Sequence, residues 1–563
     1  MLRSTLAKRA WLLFFLAAFA LYLYGLGRLP LIGPDEPRYA QIAREMLERG
    51  DFVTPTLGGL PWFEKPALLY WMMMAAFAAF GVSEWAARLG PACSGLLTGV
   101  LIYLVGRRVE KESAEAAKES AQEKEALSSS SASAAARGLG LWSGAALLSS
   151  AGMIVFSRGA SFDVIVTMTL TAALACFIIC ELATTEASRR WWLAGFYAAV
   201  GASLLAKGLI GVVIPFGVVA AYFLLRREWP RRTVLLSLLW GVPLALLVAA
   251  AWYAPVIARH GRTFLDQFII QHHFARYLSN KYRHPQPFYF YLPMMALFAL
   301  PWTAFLAASL AHARRWNWRS PTASSKLRVF ALVWVAVPVA FFSLSGSKLP
   351  GYILPALPGA ALLIGDRLAS FARGEEGGIR SMRATGAGLL LCVAIVVYLA
   401  RVGHLSTGRV LAVALPLMFA GLFALVRTRL RRWCAGLLIG ATFAATALAV
   451  NLLIEQGARS ESVRDLLAQA SARGYASAPV LELHTVERTA EFYAAGRIAR
   501  GPDGEVVKFE GVQQIAETAR RGGGQALVIV PLEYAGQLFD YAPLQPELIG
   551  DNGAVALVAV RTR

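Results

Sequence analysis

Charge is what this 563-residue chain has too little of: Asp, Glu, Lys and Arg make up 16% of it, and hydrophobic residues 57%. Soluble domains carry about a quarter charged residues. The deficit, with a mean hydropathy of +0.52, means that much of the surface faces something other than water. Cysteine is scarce as well. Cys93, Cys176, Cys180, Cys392 and Cys434 lie in apolar runs without a zinc-ligand spacing, which argues against a metal framework and predicts no disulfides. No Cys/His finger, RNP or helix-turn-helix pattern accompanies the net charge of +20, so the basic excess does not point to nucleic acid.

Long apolar runs are what the chain has in plenty. A helix needs about 20 apolar residues to cross a bilayer, and about 13 such segments can be drawn. They are 10–28, 86–106, 138–156, 162–182, 191–207, 208–225, 233–252, 288–311, 329–345, 352–366, 384–401, 409–426 and 434–453. The first follows Arg3, Lys8 and Arg9 and lacks a small-x-small cleavage site, which predicts a retained helix. The basic clusters test this order. Arg107-Arg108, Arg226-Arg227, Arg231-Arg232, Arg314-Arg315, Lys326 with Arg328, Arg380 with Arg383, and Arg427 through Arg432 all fall on one side. By the positive-inside rule that side, with the N-terminus, is cytoplasmic.

The same order puts 29–85, 253–287, 346–351 and everything after about 454 outside. The insert at 110–137 is low-complexity, rich in Glu, Lys, Ala and Ser, and predicts a mobile cytoplasmic loop that is helical in part through Glu/Lys pairs. The expected fold class is an all-α polytopic membrane domain, 1–454, with a small α/β extracytoplasmic domain, 455–563. In the latter, Ser462-x-x-Asp465 fits a capping box and Gly474 a helix end. Val480–His484, Ala526–Val530 and Ala554–Val560 read as strands.

The outer loops hold the chemistry. The first opens Pro34-Asp35-Glu36-Pro37-Arg38-Tyr39. It continues with an amphipathic stretch, Ile42, Met46 and Leu47 on one face, which predicts a helix lying along the membrane surface. Asp35 and Glu36 fit two roles: a cap or a partner for Arg38 or Arg88, and a general base or acceptor-positioning charge. Glu64-Lys65 sits between Trp62, Phe63 and Pro66, where the lysine can snorkel or bind a phosphate. The second loop carries His272, His273, Arg276 and His284. Arg276 suits a bidentate phosphate contact. The histidines, with Glu64, could hold a divalent, zinc-like ion, although the spacing matches no closed site. The third loop, Ser343-Leu-Ser-Gly-Ser-Lys348-Leu-Pro-Gly-Tyr352, is either a plain hairpin or a place for Lys348 and Tyr352 to act. Asp163 and Lys207 sit at span ends, where an ionisable residue is a functional candidate and pairing of Asp163 with Arg158 is the plainer reading.

Three of these motifs resemble one family. Pro-Asp-Glu-x-Arg-Tyr-Ala-x-Ile-x-Arg-Glu-Met followed by Phe-Glu-Lys-Pro and Tyr-Trp, then His-Phe-x-Arg-Tyr with Pro-Phe-Tyr-Phe-Tyr-Leu-Pro, then Ser-Lys-Leu-Pro-x-Tyr-Ile-Leu-Pro are similar to the bacterial aminoarabinose lipid A transferases. These belong to the membrane glycosyltransferases that include the protein mannosyltransferases. The resemblance covers roughly 10–450 and, more weakly, the C-terminal region. It implies an inverting transfer of 4-amino-4-deoxy-L-arabinose from undecaprenyl phosphate to lipid A at the periplasmic face of the inner membrane. Asp35 would be the catalytic acid of the first loop, Lys65 and Arg276 the carrier-phosphate ligands, and Tyr352 the motif tyrosine. Glu64 and a histidine of the second loop match a metal-contacting pair. Pro37, the His272-His273 pair in place of an acid then His, and the 110–137 insert depart from the family pattern. A different sugar with a glycan or protein acceptor is the nearest alternative. A lipid or solute transporter is another, against which stands the lack of repeated halves.

Overall fold

The computed structural model describes residues 2–123, 138–275, 285–375, 378–403 and 406–562. Its elements fall into two compact units. One comprises Met1–Tyr24, Glu64–Leu69 and Pro91–Ala449; the other comprises Gly25–Phe63, Tyr70–Gly90 and Val450–Arg563.

The first unit is helical because lipid offers no partner for backbone N–H and C=O groups, so each apolar segment must bond within itself. Among the described residues eight helices are long and apolar enough to cross a membrane, and the bent pair Leu139–Leu148 and Ala151–Ser157 makes a ninth. The chain is thus a multi-pass membrane protein. The 13 segments drawn from sequence all coincide with helices, but some are short or broken. The 288–311 segment, for example, becomes Tyr291–Phe298 and Thr303–His312 with Pro301 between them. The helix over 86–106 runs on from Glu84 to Glu123, because Arg108–Glu112 and Lys111–Glu115 ion pairs at i,i+4 extend it into the polar insert. Residues 124–137 of that insert lie outside the described residues.

Small residues let these helices approach. A Cβ on Gly386 would stand 2.5 Å from the Gly421 carbonyl oxygen, so Gly378–Val402 and Thr407–Val426 meet backbone to backbone. Their other faces expose Leu391, Ile395, Leu415 and Phe419, as lipid-facing positions should. Helix starts are closed by side chains where the sequence supplies them: Thr185 Oγ1 accepts from Ser188 N at 3.2 Å, and Ser161 Oγ from Asp163 N at 3.1 Å.

In the second unit, the Asp35–Arg49 helix ends on Gly50 in a left-handed turn (φ 63°). A two-residue hairpin, β1 (Thr56–Leu57) against β2 (Leu60–Pro61), follows it. Protein, not lipid, covers most of the apolar face of this helix. Ile42, Ala43 and Met46 are fully buried in protein, and Arg44 stacks on Phe492 at 4.2 Å while donating to the Phe492 carbonyl at 2.9 Å. Leu47, the third residue of that face, is half-buried.

The C-terminal part of this unit is a five-stranded sheet in the order β4-β3-β5-β7-β6. The strands are β3 (Val480–Leu483), β4 (Lys508–Phe509), β5 (Gln525–Pro531), β6 (Leu544–Asp551) and β7 (Val555–Thr562). β4, β3 and β5 are parallel; β5, β7 and β6 are antiparallel. Alternate residues face two cores: Val480, Leu527, Ile529 and Leu557 in one, Leu481, Val528, Val530 and Val558 in the other. Burial on both sides explains why the strands read as unbroken apolar runs. The capping box is not formed. The helix begins at Arg464, Ser462 Oγ accepts from Arg464 N at 3.2 Å, and Asp465 takes Arg464 Nε at 2.9 Å.

Glu482 is the exception in this core. It is fully buried in β3, Oε1 accepts from Glu487 N at 3.1 Å, and Oε2 has no partner among the described residues. Burial pushes its carboxyl up to about 8; the Glu487 N–H bond opposes this, and the Glu487 and Glu491 charges add to it. The folded state therefore holds this proton more tightly than the unfolded chain. Stability should be greatest below the ordinary carboxyl value of 4.5, fall as pH rises, and level off above about 8. Glu482→Gln is expected to remove that slope and to stabilise the protein at pH 9 by on the order of a few kcal/mol. Parallel melting curves against pH for the two proteins would contradict this.

Candidate active site

Each unit holds part of the predicted set. In the first, the Phe162–Leu182 helix carries Asp163 in its first turn and Glu186–Lys207 ends on Lys207. Lys207 Nζ hydrogen-bonds Asp163 Oδ1, and both side chains are less than one-fifth exposed. Lys207 Nζ also lies 4.6 Å from the centroid of the Tyr352 ring. The third loop thus comes to Asp163 through Lys207. Gly351 is required there: a Cβ would fall 2.0 Å from Asp163 Oδ2. Arg158 turns elsewhere, donating to the carbonyls of Leu21 at 2.5 Å and Tyr24 at 2.7 Å. So the plainer pairing, Asp163 with Arg158, gives way to one 44 residues distant in sequence.

The rest of the third loop is a built turn. Lys348 is buried and its Nζ donates to the Ser345 carbonyl at 2.7 Å; Ser345 Oγ donates to the Ser347 carbonyl at 3.0 Å. Tyr291 OH reaches the Leu349 carbonyl at 3.2 Å, and Tyr352 packs on Phe342 with ring centroids 5.4 Å apart. Lys65 Nζ stands 2.9 Å from Glu64 Oε1, each side chain 13% exposed. Lys65 is therefore mostly buried and paired with the acid beside it. Arg276 lies outside the described residues, as do the side chains of His272 and His273. Among the described residues no group of three His, Cys, Asp or Glu side chains could hold a metal.

In the second unit, Asp35 and its neighbour part company. Glu36 accepts from Arg88 Nη2 at 2.6 Å through Oε2 and from Arg88 Nε at 3.1 Å through Oε1, and Oε2 also caps Ile32 N at 3.2 Å. Arg88, 3% exposed, adds the carbonyls of Leu26, Leu29 and Pro30, each at 2.7 Å. Glu36 is thereby committed to the loop's architecture. Asp35 opens the helix, exposed, and among the described residues its side chain makes no hydrogen bond or ion pair. Arg38 lies over the Trp62 ring at 5.2 Å.

Sequence reasoning passed over Tyr493. Its hydroxyl accepts from Leu31 N at 2.7 Å and donates to Glu84 Oε1 at 3.0 Å, and Arg464 Nη1 reaches the same Glu84 oxygen at 3.3 Å. Tyr493 stands in Glu491-Phe-Tyr493-Ala, with no motif to single it out.

The family model of dolichyl-phosphate-mannose-protein mannosyltransferases matches residues 9–117. Two proteins of Pseudomonas aeruginosa, each an undecaprenyl phosphate-alpha-4-amino-4-deoxy-L-arabinose arabinosyl transferase, are similar over most of the chain. One is 31% identical over 444 residues, 77% of this chain and 74% of its own length. The other is 32% identical over 437 residues, 75% of this chain and 72% of its own. This chain belongs to that arabinosyl transferase family. A relative from Pseudomonas paraeruginosa, 32% identical, matches 68% of this chain but only 63% of its own length. The crystal structure of ArnT from Cupriavidus metallidurans bound to undecaprenyl phosphate shares the fold, with a TM-score of 0.76 at 24% identity over 97% of each chain. The family likeness runs through the unit bearing Asp163, Lys207 and Tyr352 and through the Asp35 helix alike.

Proposed function

We propose that this protein is a membrane glycosyltransferase that moves 4-amino-4-deoxy-L-arabinose from undecaprenyl phosphate to lipid A, at the periplasmic face of the bacterial inner membrane. The observation that carries this reading is the 31–32% identity to arabinosyl transferases over three quarters of the chain. The cationic and acidic groups at span ends support it with chemistry suited to the reaction. Thirteen spans with a cytoplasmic N-terminus, the order supported by the basic clusters, would place the C-terminal sheet and the three outer loops in the periplasm.

The donor's polyprenyl chain stays in lipid and its phosphate emerges at the boundary. An acceptor oxygen attacks the anomeric carbon, the bond from that carbon to the phosphate oxygen breaks, and the bonding pair leaves with undecaprenyl phosphate, inverting the centre. Charge grows on the departing phosphate. Lys65, Arg276 and Lys348 are the groups we assign to it, since fixed cations aimed at developing charge are the largest catalytic term in most enzymes. Asp163 holds Lys207 over Tyr352 and so fixes the third loop; this is a positioning role. Asp35, free of the pairing that occupies Glu36, orients the acceptor. A hydroxyl acceptor would give its proton to Asp35; an acceptor phosphate is already anionic and needs none.

Mass spectrometry of lipid A from cells with and without the protein tests the reading. An added aminopentose mass is expected, and unchanged lipid A in cells that make the donor would overturn it. Lys65→Ala should raise the donor concentration for half-saturation by roughly 10- to 100-fold, the worth of one charge-assisted phosphate contact. Lys65→Arg should recover part of this, while donor saturation unchanged in the alanine variant removes Lys65 from the phosphate site.

A further inference from the structure

Glu186–Lys207 and Arg232–Phe264 pack along each other, and Ile210–Arg226 returns the chain between them. Their first turns therefore open at the same membrane boundary. A groove of about 730 Å³ lies there, lined by Arg190, Trp191, Ala194, Arg232, Leu236 and Trp240. Its floor is apolar and its rim carries two guanidinium groups. We propose that this groove is a binding site for an anionic glycerophospholipid of the surrounding leaflet, separate from the donor site.

Charge is the first argument. The exposed acids of this corner are already engaged, and Glu181 is buried: Glu186 binds Arg189 and accepts from Thr233 Oγ1 at 2.6 Å, and Glu228 binds Arg226 at 2.8 Å. Arg190 and Arg232 are exposed, and among the described residues neither has an ion pair or hydrogen bond. Two unspent guanidinium groups at a bilayer boundary match a phosphodiester, which they can grip bidentately. Exposed apolar area is the second argument. Trp191 is 79% exposed, Leu236 49% and Trp240 40%. Indole rings at this depth settle at the headgroup level, leaving Leu236 and Ala194 to meet an acyl chain. A soluble partner would leave the groove floor against lipid tails, whereas a phospholipid satisfies rim and floor together.

Native mass spectrometry of the full-length protein, exchanged into micelles containing phosphatidylglycerol or phosphatidylcholine, tests this. The wild type should retain phosphatidylglycerol over phosphatidylcholine, and R190Q/R232Q should bind it roughly 10- to 30-fold more weakly. R314Q/R315Q removes two exposed arginines elsewhere and should leave retention unchanged. Transfer activity should survive in both variants, which shows that they fold and that the donor site is separate. Equal loss in the two variants would make the effect one of general charge and overturn the site. So would unchanged retention in R190Q/R232Q, or a loss of undecaprenyl phosphate rather than phosphatidylglycerol.

Discussion

Asp35→Asn is expected to leave the protein folded and to lower transfer by roughly 10²- to 10⁴-fold, the range spanned by a positioned acid or base. The physical case rests on what the carboxylate does not do. Asp35 is exposed at the first turn of its helix, after Pro34, and the neighbouring Glu36 takes the structural bonds to Arg88 and Ile32. Its contribution to the helix is the favourable meeting of an anion with the helix N-terminus, about 0.3–1 kcal/mol. Asparagine keeps the shape, and no side-chain cap bond is lost. Stability should therefore change by less than about 1 kcal/mol while the reaction loses its acceptor-facing charge. Transfer rates of purified variant and wild type at saturating donor, with melting curves alongside, decide it. Near-wild-type transfer would remove Asp35 from the chemistry.

Arg88→Ala should have the largest effect on stability, about 3–5 kcal/mol, the cost of breaking a buried ion pair from one side. One guanidinium closes three carbonyls and both oxygens of Glu36, and alanine takes that donor from all of them, leaving the Ile32 N–H on Glu36 Oε2. Arg88→Lys should rescue little, because an ammonium is a point charge and cannot span the fan of acceptors that a planar fork reaches. Glu36→Gln should cost less, since its amide still accepts from Arg88. Thermal unfolding, with limited proteolysis of the 25–63 segment, reads the difference. A melting temperature for Arg88→Ala within about 2 °C of wild type would contradict the account. Because Asp35 directly precedes Glu36, transfer by Arg88→Ala should fall too, whereas Asp35→Asn should move activity alone.

The apolar segments could be read because the solvent dictates them: in lipid a backbone bonds to itself or not at all, so composition alone predicts helices. The strands β3, β5 and β7 were legible as apolar runs. β6 was not, because it is an edge strand that buries only Leu544 and Ile549 and carries Pro546, and β4 is two residues long. The Asp35–Arg49 helix shows both outcomes. Its periodicity was plain, but whether lipid or protein covers the apolar face depends on Phe492 and its neighbours, more than 400 residues away in sequence.

The sequence by itself determined the membrane character and singled out the candidate reactive groups, because hydropathy, charge count and short motifs are local properties that survive without a fold. Only the tertiary structure decided which charges are spent. Glu36 is consumed by Arg88 and Asp163 by Lys207, Lys65 rests beside Glu64 with its ammonium still partly exposed, and Arg190 and Arg232 remain unspent. The reason is geometric: except for adjacent Glu64 and Lys65, these ion pairs join groups 44 and 52 residues apart, and helix packing, not sequence spacing, sets which opposite charge is within reach.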